Sequence, residues 1–283
     1  YKRQTLPPST FEVIVVDDGS PEPLDTIVAE FAPSLQVRLF RQENAGPSAA
    51  RNVGARQASA PLLAFTDDDC LPGPEWLENL LRGERETPGA LVGGSTVNGL
   101  ADDLFATTSQ FIIDLVYEHF NADPLAAYFF ASNNMLCRRD RLLELGGFDG
   151  LYHRAGAEDR DFCDRWRAAG LRLVWRRDAT IEHRHAQSLR EFCGLHFRYG
   201  RGAHVYQSKR RERGTGTMHA DMGFHLTLPG RVWKKLGRPW GVWNSIRIGA
   251  ALVLWQVVNA AGFAAEALTP RTHGAGSPSL RAG

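Results

Sequence analysis

Cysteine is scarce and charge is balanced. The four cysteines in 283 residues, Cys70, Cys137, Cys163 and Cys193, form no C-x-x-C pair and no Cys/His run at zinc-finger spacing. That pattern excludes a disulfide scaffold and a structural zinc module, and it points to buried thiols in a reducing compartment. Lysine and arginine number 33 against 32 acids, a net charge of +1, so no global field draws the chain to nucleic acid. The first residues lack the basic-then-apolar pattern of a secretory signal, and Tyr1 stands where a natural start would have Met. The chain is therefore expected to begin somewhere other than a natural start codon. Also missing are the G-x-x-x-x-G-K-[ST] phosphate loop, the G-x-S-x-G elbow, H-E-x-x-H, and G-x-G-x-x-G after a strand. Gly214-Thr215-Gly216-Thr217 follows a basic helix and lacks the third glycine, which gives dinucleotide binding little support.

Hydrophobic residues make up 43% of the chain and aromatics 10%, values typical of a chain that folds around a core. The run FEVIVV (residues 11–16) is continuously apolar and β-branched, as suits a strand covered by helices on both faces. It ends in Asp17-Asp18-Gly19-Ser20. A helix near 24–31, a strand near 37–40 and a helix near 48–58 follow, and then the strand LLAFT (62–66) ends in Asp67-Asp68-Asp69. Further on, the spacing predicts helices over 74–86, 102–120 and 158–169, and strands over 90–97, 132–138 and 171–175. Strands alternating with helices imply an α/β class with an open, mostly parallel sheet. Ligands of such sheets bind beyond the carboxyl ends of the strands, and both acidic clusters fall at that edge.

The expected organisation is a domain over 1–187, a basic and apolar helical appendage over 188–268, and a disordered Gly/Pro/Ser-rich tail over 269–283. Residues 196–213 carry six cations against Glu212, with Phe197, Tyr199 and Tyr206 interleaved; a solvated helix face is the ordinary reading. Between Arg247 and Glu266 lie 18 uncharged residues, at the lower edge of the ~20 that cross a bilayer. A span, an in-plane membrane helix and a buried core helix all stay open. Arg231, Lys234, Lys235 and Arg238, with Trp233, Trp240 and Trp243, suit a cytoplasmic interface.

Asp67 and Asp69 alternate along an extended segment and so share a face, while Asp68 points away. Two carboxylates held together favour a hard cation such as Mg²⁺ or Mn²⁺, which keeps positions open for phosphate oxygens; a solvated acidic loop is the alternative. Asp17 and Asp18, before the turn-permitting Gly19, could accept hydrogen bonds from a base or ribose, or could form an Asx-turn or helix cap. Gly46 to Asn52 puts small residues and a cation at a helix start, and Arg51 could lie over a base or pair with Asp17 or Asp18. Glu158 and Asp159 open a helix after Ala155-Gly156-Ala157, either as dipole-favoured acids or as a general base. His183 and His185 follow a strand and could add a third metal ligand, His183 first.

In order and spacing, VIVVDDGS (13–20), GPSAARNVGA (46–55), FTDDDC (65–70), Ser132-Asn133-Asn134, GGFD (146–149) and AED (157–159) resemble a family 2 glycosyltransferase. The likeness to the type-A glycosyltransferase fold runs from Phe11 to Arg184. It implies inverting transfer from a nucleotide-diphosphate sugar, usually UDP-linked, with Mg²⁺ or Mn²⁺, to a glycan or lipid-linked acceptor. By the same resemblance, Asp17, Asp18, Gly19, Ser20, Arg51, Asp67 and Asp68 make up the nucleotide-sugar site, with Asp18 and Arg51 at the base. Asp67 touches ribose or metal, Asp69 and His183 bind metal, and Asp159, beside Glu158, takes the proton of the acceptor hydroxyl. The family normally has a further buried strand beside FEVIVV, and residues 1–8 resemble the end of the helix after it. A sheet without that strand is expected to show unpaired backbone groups and a cavity. The Gln-x-x-Arg-Trp motif of processive members is also missing, which favours addition of one or few sugars.

A nucleotidyltransferase making activated sugars, built on a similar sheet, is a second reading. A non-catalytic scaffold that sits on membranes through its basic helix is a third. The leading expectation is a metal-dependent transferase on the cytoplasmic face of a membrane, acting on an envelope glycan.

Overall fold

The computed structural model describes residues 1–152, 156–216, 218–236 and 240–269. The expectations for 270–283, Ala155, Thr217 and Arg238 lie outside the described residues. In chain order the elements are β1 (Glu12–Asp17), α1 (Asp25–Phe31), β2 (Gln36–Arg41), α2 (Pro47–Gln57), β3 (Leu62–Phe65), β4 (Cys70–Pro72), α3 (Trp76–Glu86), β5 (Leu91–Asn98), α4 (Leu104–Phe120), β6 (Met135–Arg138) and α5 (Arg139–Glu144). They continue with α6 (Glu158–Ala168), β7 (Leu173–His183), α7 (Leu189–Arg213), α8 (Met218–Leu236) and α9 (Gly241–Leu268).

Five strands form one sheet in the order β3-β6-β5-β7-β4, and β1 pairs with β2 in a separate parallel ribbon. Within the larger sheet β5 and β7 run parallel in two runs, 91–93 with 173–175 and 95–98 with 180–183, whereas the other three of its four pairings, β6 with β3 and β5 and β4 with β7, are short and antiparallel, so this sheet is more mixed than the mostly parallel one expected. Alternation along the strands divides the core. Leu91, Met135 and Leu173 face a cluster with Phe111, Leu115, Phe162 and Trp166, while their neighbours Val92, Leu136 and Val174 face Trp76, Leu77 and Leu80 of α3. Both faces are covered, which is why these strands read as unbroken apolar runs.

The ribbon differs from that expectation. Residues 11–16 are only half-buried, and Asp17 is the one buried position in β1. Ile14 and Val16 lie against Gly54 of α2, but a cleft of about 1760 Å³ separates β1 from β3 and is lined by residues of both.

Elsewhere buried polar groups tie the layers. Asn134 accepts from Trp76 Nε1 at 2.8 Å and donates to the carbonyls of Ser95 and Ala179 at 3.0 Å. β5 shifts register between Gly93 and Ser95; a Cβ at Gly94 would come within 2.1 Å of the Ala179 carbonyl. These bonds explain Asn134 of the Ser132-Asn133-Asn134 stretch, and of the strand expected over 132–138 only Met135–Arg138 forms.

The helical region packs on the same core. α7 starts with a capping box between Ser188 and Glu191, and its basic run is largely paired. Arg213 reaches Asp161 and Asp164 of α6 at 2.8 Å each, and Arg201 reaches Glu266 of α9 at 2.7 Å. The ordinary reading of that run as a solvated face therefore gives way to ion pairs that join three helices.

Candidate active site

β1 and β3 deliver the two acidic clusters to one rim of the cleft, and the loop before α6 delivers Glu158 and Asp159 to it. In the first cluster Asp17 accepts from the Ser20 amide at 2.7 Å and lies 3.4 Å from Arg41. That amide bond, aided by Arg41, holds the Asp17 carboxyl below its ordinary range. Asp18 accepts from Gln42 Nε2 at 2.6 Å, the Ala45 amide at 2.9 Å and the Gly46 amide at 2.8 Å. Gly19 has φ 83°, and a Cβ there would sit 3.0 Å from the Asn44 nitrogen. Ser20 offers its carbonyl to Arg41. Asp17 takes the turn alternative, bonding an amide three residues on, whereas Asp18 ties the rim to the loop that leads into α2.

Arg51, one turn into α2, pairs with neither of them. Its guanidinium reaches Asp67 Oδ1 at 2.8 Å and Glu158 Oε1 at 3.3 Å. This corrects the expectation of a pairing with Asp17 or Asp18: α2 points the side chain across the cleft to carboxylates that come from β3 and α6. Asn52 anchors the same helix to the GGFD loop, donating to the Phe148 carbonyl at 2.7 Å and accepting from its amide at 2.8 Å.

Asp69 turns to the other side. His183 Nε2 and His185 Nδ1 each lie 3.1 Å from Asp69 Oδ2. Burial alone would raise the Asp69 pKa, but the hydrogen bond and charge of His183 prevail and lower it; the same bond raises His183. Asp69, Cys70 and His183 bring ligand atoms within 4.8 Å of one another. The carboxylate suits a hard divalent ion such as Mn²⁺ and the imidazole can join it, whereas the thiol is a soft donor that does not. Burial pushes the Cys70 thiol up to about 12, so it stays protonated near neutral pH and the O and N donors dominate. Asp67 lies outside this group, and Asp68 is exposed.

Glu158 is buried and accepts from the Gly156 amide at 2.9 Å. Ala157 precedes it with φ 74°, the one non-glycine residue with positive φ among the described residues, a conformation that costs ~1–2 kcal/mol and persists only when the surroundings hold it. The holding group is α7, whose Gly202 presses on the Gly156 carbonyl, where a Cβ would come within 2.1 Å. Burial, and then the neighbouring Glu158 charge, raise Asp159 to about 7, as suits a base that works near neutrality.

Both histidines weighed as a third ligand, His183 and His185, meet Asp69; sequence reasoning missed Cys70 beside them. It also missed the α7 wall. Tyr199 lines the cleft, its phenol raised by burial and by Asp159, Glu158 and Asp67. His196, packed against Phe192, Tyr199 and Trp255, is lowered by burial to about 4. Their three-residue spacing on one helix was the available signal.

Known proteins share this arrangement of chain. Pre-mycofactocin glycosyltransferase of Mycobacterium tuberculosis is 31% identical over 195 residues, covering 68% of this chain and 41% of that protein. Glucosyl-dolichyl phosphate glucuronosyltransferase of Haloferax volcanii is 28% identical over 212 residues, covering 69% of this chain and 65% of that protein. The chain therefore spans less than two thirds of the length of these relatives. Among solved structures, the mannosyltransferase PcManGT from Pyrobaculum calidifontis, in complex with GDP-Man and Mn²⁺, superposes with a TM-score of 0.62 at 22% identity, over 94% of this chain and 72% of that one. The shared architecture is the type-A glycosyltransferase fold, with the C-terminal helices added. The profile of glycosyl transferase family 2 matches residues 2–146, about half of the sequence, and the chain belongs to that family.

Proposed function

We propose that this chain carries the catalytic part of an inverting glycosyltransferase, moving a sugar from a nucleotide-diphosphate donor, UDP-linked, to a hydroxyl of a glycan or lipid-linked acceptor. The observation that carries the reading is the bridge of Arg51 between Asp67 and Glu158, which sets the D-x-D edge and the Asp159 carboxylate in one cleft. The ionised Asp159 takes the proton of the acceptor hydroxyl as its oxygen bonds to the anomeric carbon. The bond from that carbon to the diphosphate breaks on the opposite face, its electron pair leaves with the nucleoside diphosphate, and the configuration inverts. No enzyme nucleophile is needed. Asp69 and His183 would hold a Mg²⁺ or Mn²⁺ ion, which supplies charge neutralisation on the leaving diphosphate when bound. Asp67, Asp68 and the Asp17–Ser20 rim face the donor, and Arg51 pairs with Glu158 beside the base.

The place of the reaction is the cytoplasmic face of a membrane. In support, α9 is long and apolar enough to cross a bilayer by length and composition, and one relative's name includes dolichyl phosphate. Calorimetry with UDP, with and without Mn²⁺, tests the donor site. Metal-dependent binding lost in Asp69→Ala is expected; binding indifferent to both the metal and that substitution would overturn the assignment.

A further inference from the structure

From residue 222 to residue 265 the sequence contains no acid, while Arg231, Lys234, Lys235, Arg238 and Arg247 all fall there. Lys235 is already paired with Asp114 and Glu118 of α4, so among the described residues Lys234 and Arg247 are the cations beside the exposed surface of this stretch. The same stretch has the largest exposed side chains. Trp233 is 84% exposed and Trp243 79%, and the end of α8 meets the start of α9 through a 2.8 Å bond from Ser245 Oγ to the Leu236 carbonyl.

α9 has two faces. Ile248, Leu252 and Trp255 are buried on one. On the other, Val242, Ile246, Val253, Val257 and Leu268 are exposed at steps that bring them to one side, a stripe ~39 Å long at ~1.5 Å per residue. Arg247 flanks it about a quarter turn away, and Lys234 likewise follows Trp233. Scattered exposed apolar residues need no explanation, but a continuous stripe rimmed by cations marks a surface that something covers.

The buried face decides how α9 can meet a membrane. It touches α7 backbone to backbone: a Cβ at Gly200 would lie 2.0 Å from the Asn259 carbonyl, and one at Gly262 would lie 2.1 Å from the Phe197 carbonyl. The Arg201–Glu266 ion pair closes one end of this contact, and Arg213 fixes α7 to α6. Threading α9 through a bilayer would carry Arg198, Arg201 and Lys209 of α7 into hydrocarbon or tear these contacts apart.

We infer that α8 and α9 dock in the plane of an anionic lipid bilayer, with the outer stripe of α9 at the boundary of headgroups and acyl chains and the cations on headgroup phosphates. The inference rests on the membrane placement proposed above and replaces a span by a surface contact. It has a consequence for access. Trp255, Gln256 and Asn259 of the same helix line the cleft, so an acceptor leaving the bilayer reaches the site past about one helix diameter, ~10 Å.

Vesicle sedimentation tests it, using phosphatidylcholine vesicles with and without phosphatidylglycerol. Binding is expected only with phosphatidylglycerol, weakening as salt rises, and at least tenfold weaker in the double substitution Val253→Asp, Val257→Asp. Bound protein should be released by alkaline carbonate. Retention after carbonate would establish a span and overturn the inference, as would equal binding by the variant or no binding at all. Dimerisation in the absence of lipid that the same variant abolishes would assign the stripe to a second copy and overturn it too. UDP–Mn²⁺ binding measured on the same samples separates the two proposals: its retention in the variant shows the fold intact, and its loss in the unsubstituted protein strikes the donor site alone.

Discussion

Two acidic clusters end two strands on either side of the cleft, and their carboxylates meet different kinds of partner. Asp17 and Asp18 are held by the Ser20 amide and by the end of β2 and the loop after it: the amides of Ala45 and Gly46 and the side chains of Arg41 and Gln42. Asp67 and Asp69 are held by side chains from other elements, Arg51 on α2 and His183 at the end of β7. Asp18, with three donors on it, has few lone pairs left for a ligand and stiffens the rim, whereas Asp17 keeps a buried Oδ2 without a hydrogen bond. Carboxylates paired with side chains can exchange those partners for a cation or a phosphate, and this is the chemistry expected of a donor site.

The sharpest way to break this contrast is at the base. Asp159→Asn should lower the transfer rate by ~10²–10⁴-fold while leaving UDP–Mn²⁺ affinity in place, as single-turnover assays with parallel calorimetry would show. The pH profile carries the same prediction. A raised pKa keeps the carboxyl protonated and useless as a base at lower pH, so the rate should fall as pH drops below about 7.

Arg51→Met comes next. It strands Glu158, which is buried, and Asp67, which is half-exposed, so the loss in stability should be about 3 kcal/mol by chemical denaturation. The Arg51 charge also lowers Asp159; its removal should move the acid limb of the pH profile upward. If the limb stays put, the coupling across the cleft is wrong.

Asp18→Ala tests the scaffold side. Three donors lose a charged acceptor, a cost of about 2 kcal/mol, read as a lower melting temperature with metal binding by the Asp69 group retained. The smallest effect belongs to Asp68→Ala. Its side chain is exposed, and the change should stay within about 0.5 kcal/mol; a larger loss of UDP affinity without a stability change would instead place Asp68 on the donor.

Much of the fold was legible because burial on a sheet or helix leaves a period in the sequence. The helix expected over 102–120 is Leu104–Phe120, and that expected over 74–86 is Trp76–Glu86. The three-residue β4 and six-residue α5 were not, since elements that short show no period. β7 was expected to stop at residue 175 but runs to His183, because its second half pairs with β4 and β5 at once. In the site, the acidic clusters and the Glu158-Asp159 helix start could be read from their positions after strands and loops. The partner of Arg51 could not, because Glu158 is 107 residues away and an arginine carries no mark of which carboxylate will meet it.

The sequence by itself determined the α/β class, the edge where ligands gather and the residue types gathered there, because alternation, helical spacing and strand-end acids are local properties of a chain. Only the tertiary structure decided which donors each cleft carboxylate meets, that Cys70 lies beside Asp69 and His183 while Asp67 turns to Arg51, and that α9 turns one face to α7 and the other outward. Those outcomes depend on long-range packing: a carboxylate goes to whatever donor the fold brings within hydrogen-bond reach, and a helix buries whichever side its neighbour's glycines let approach.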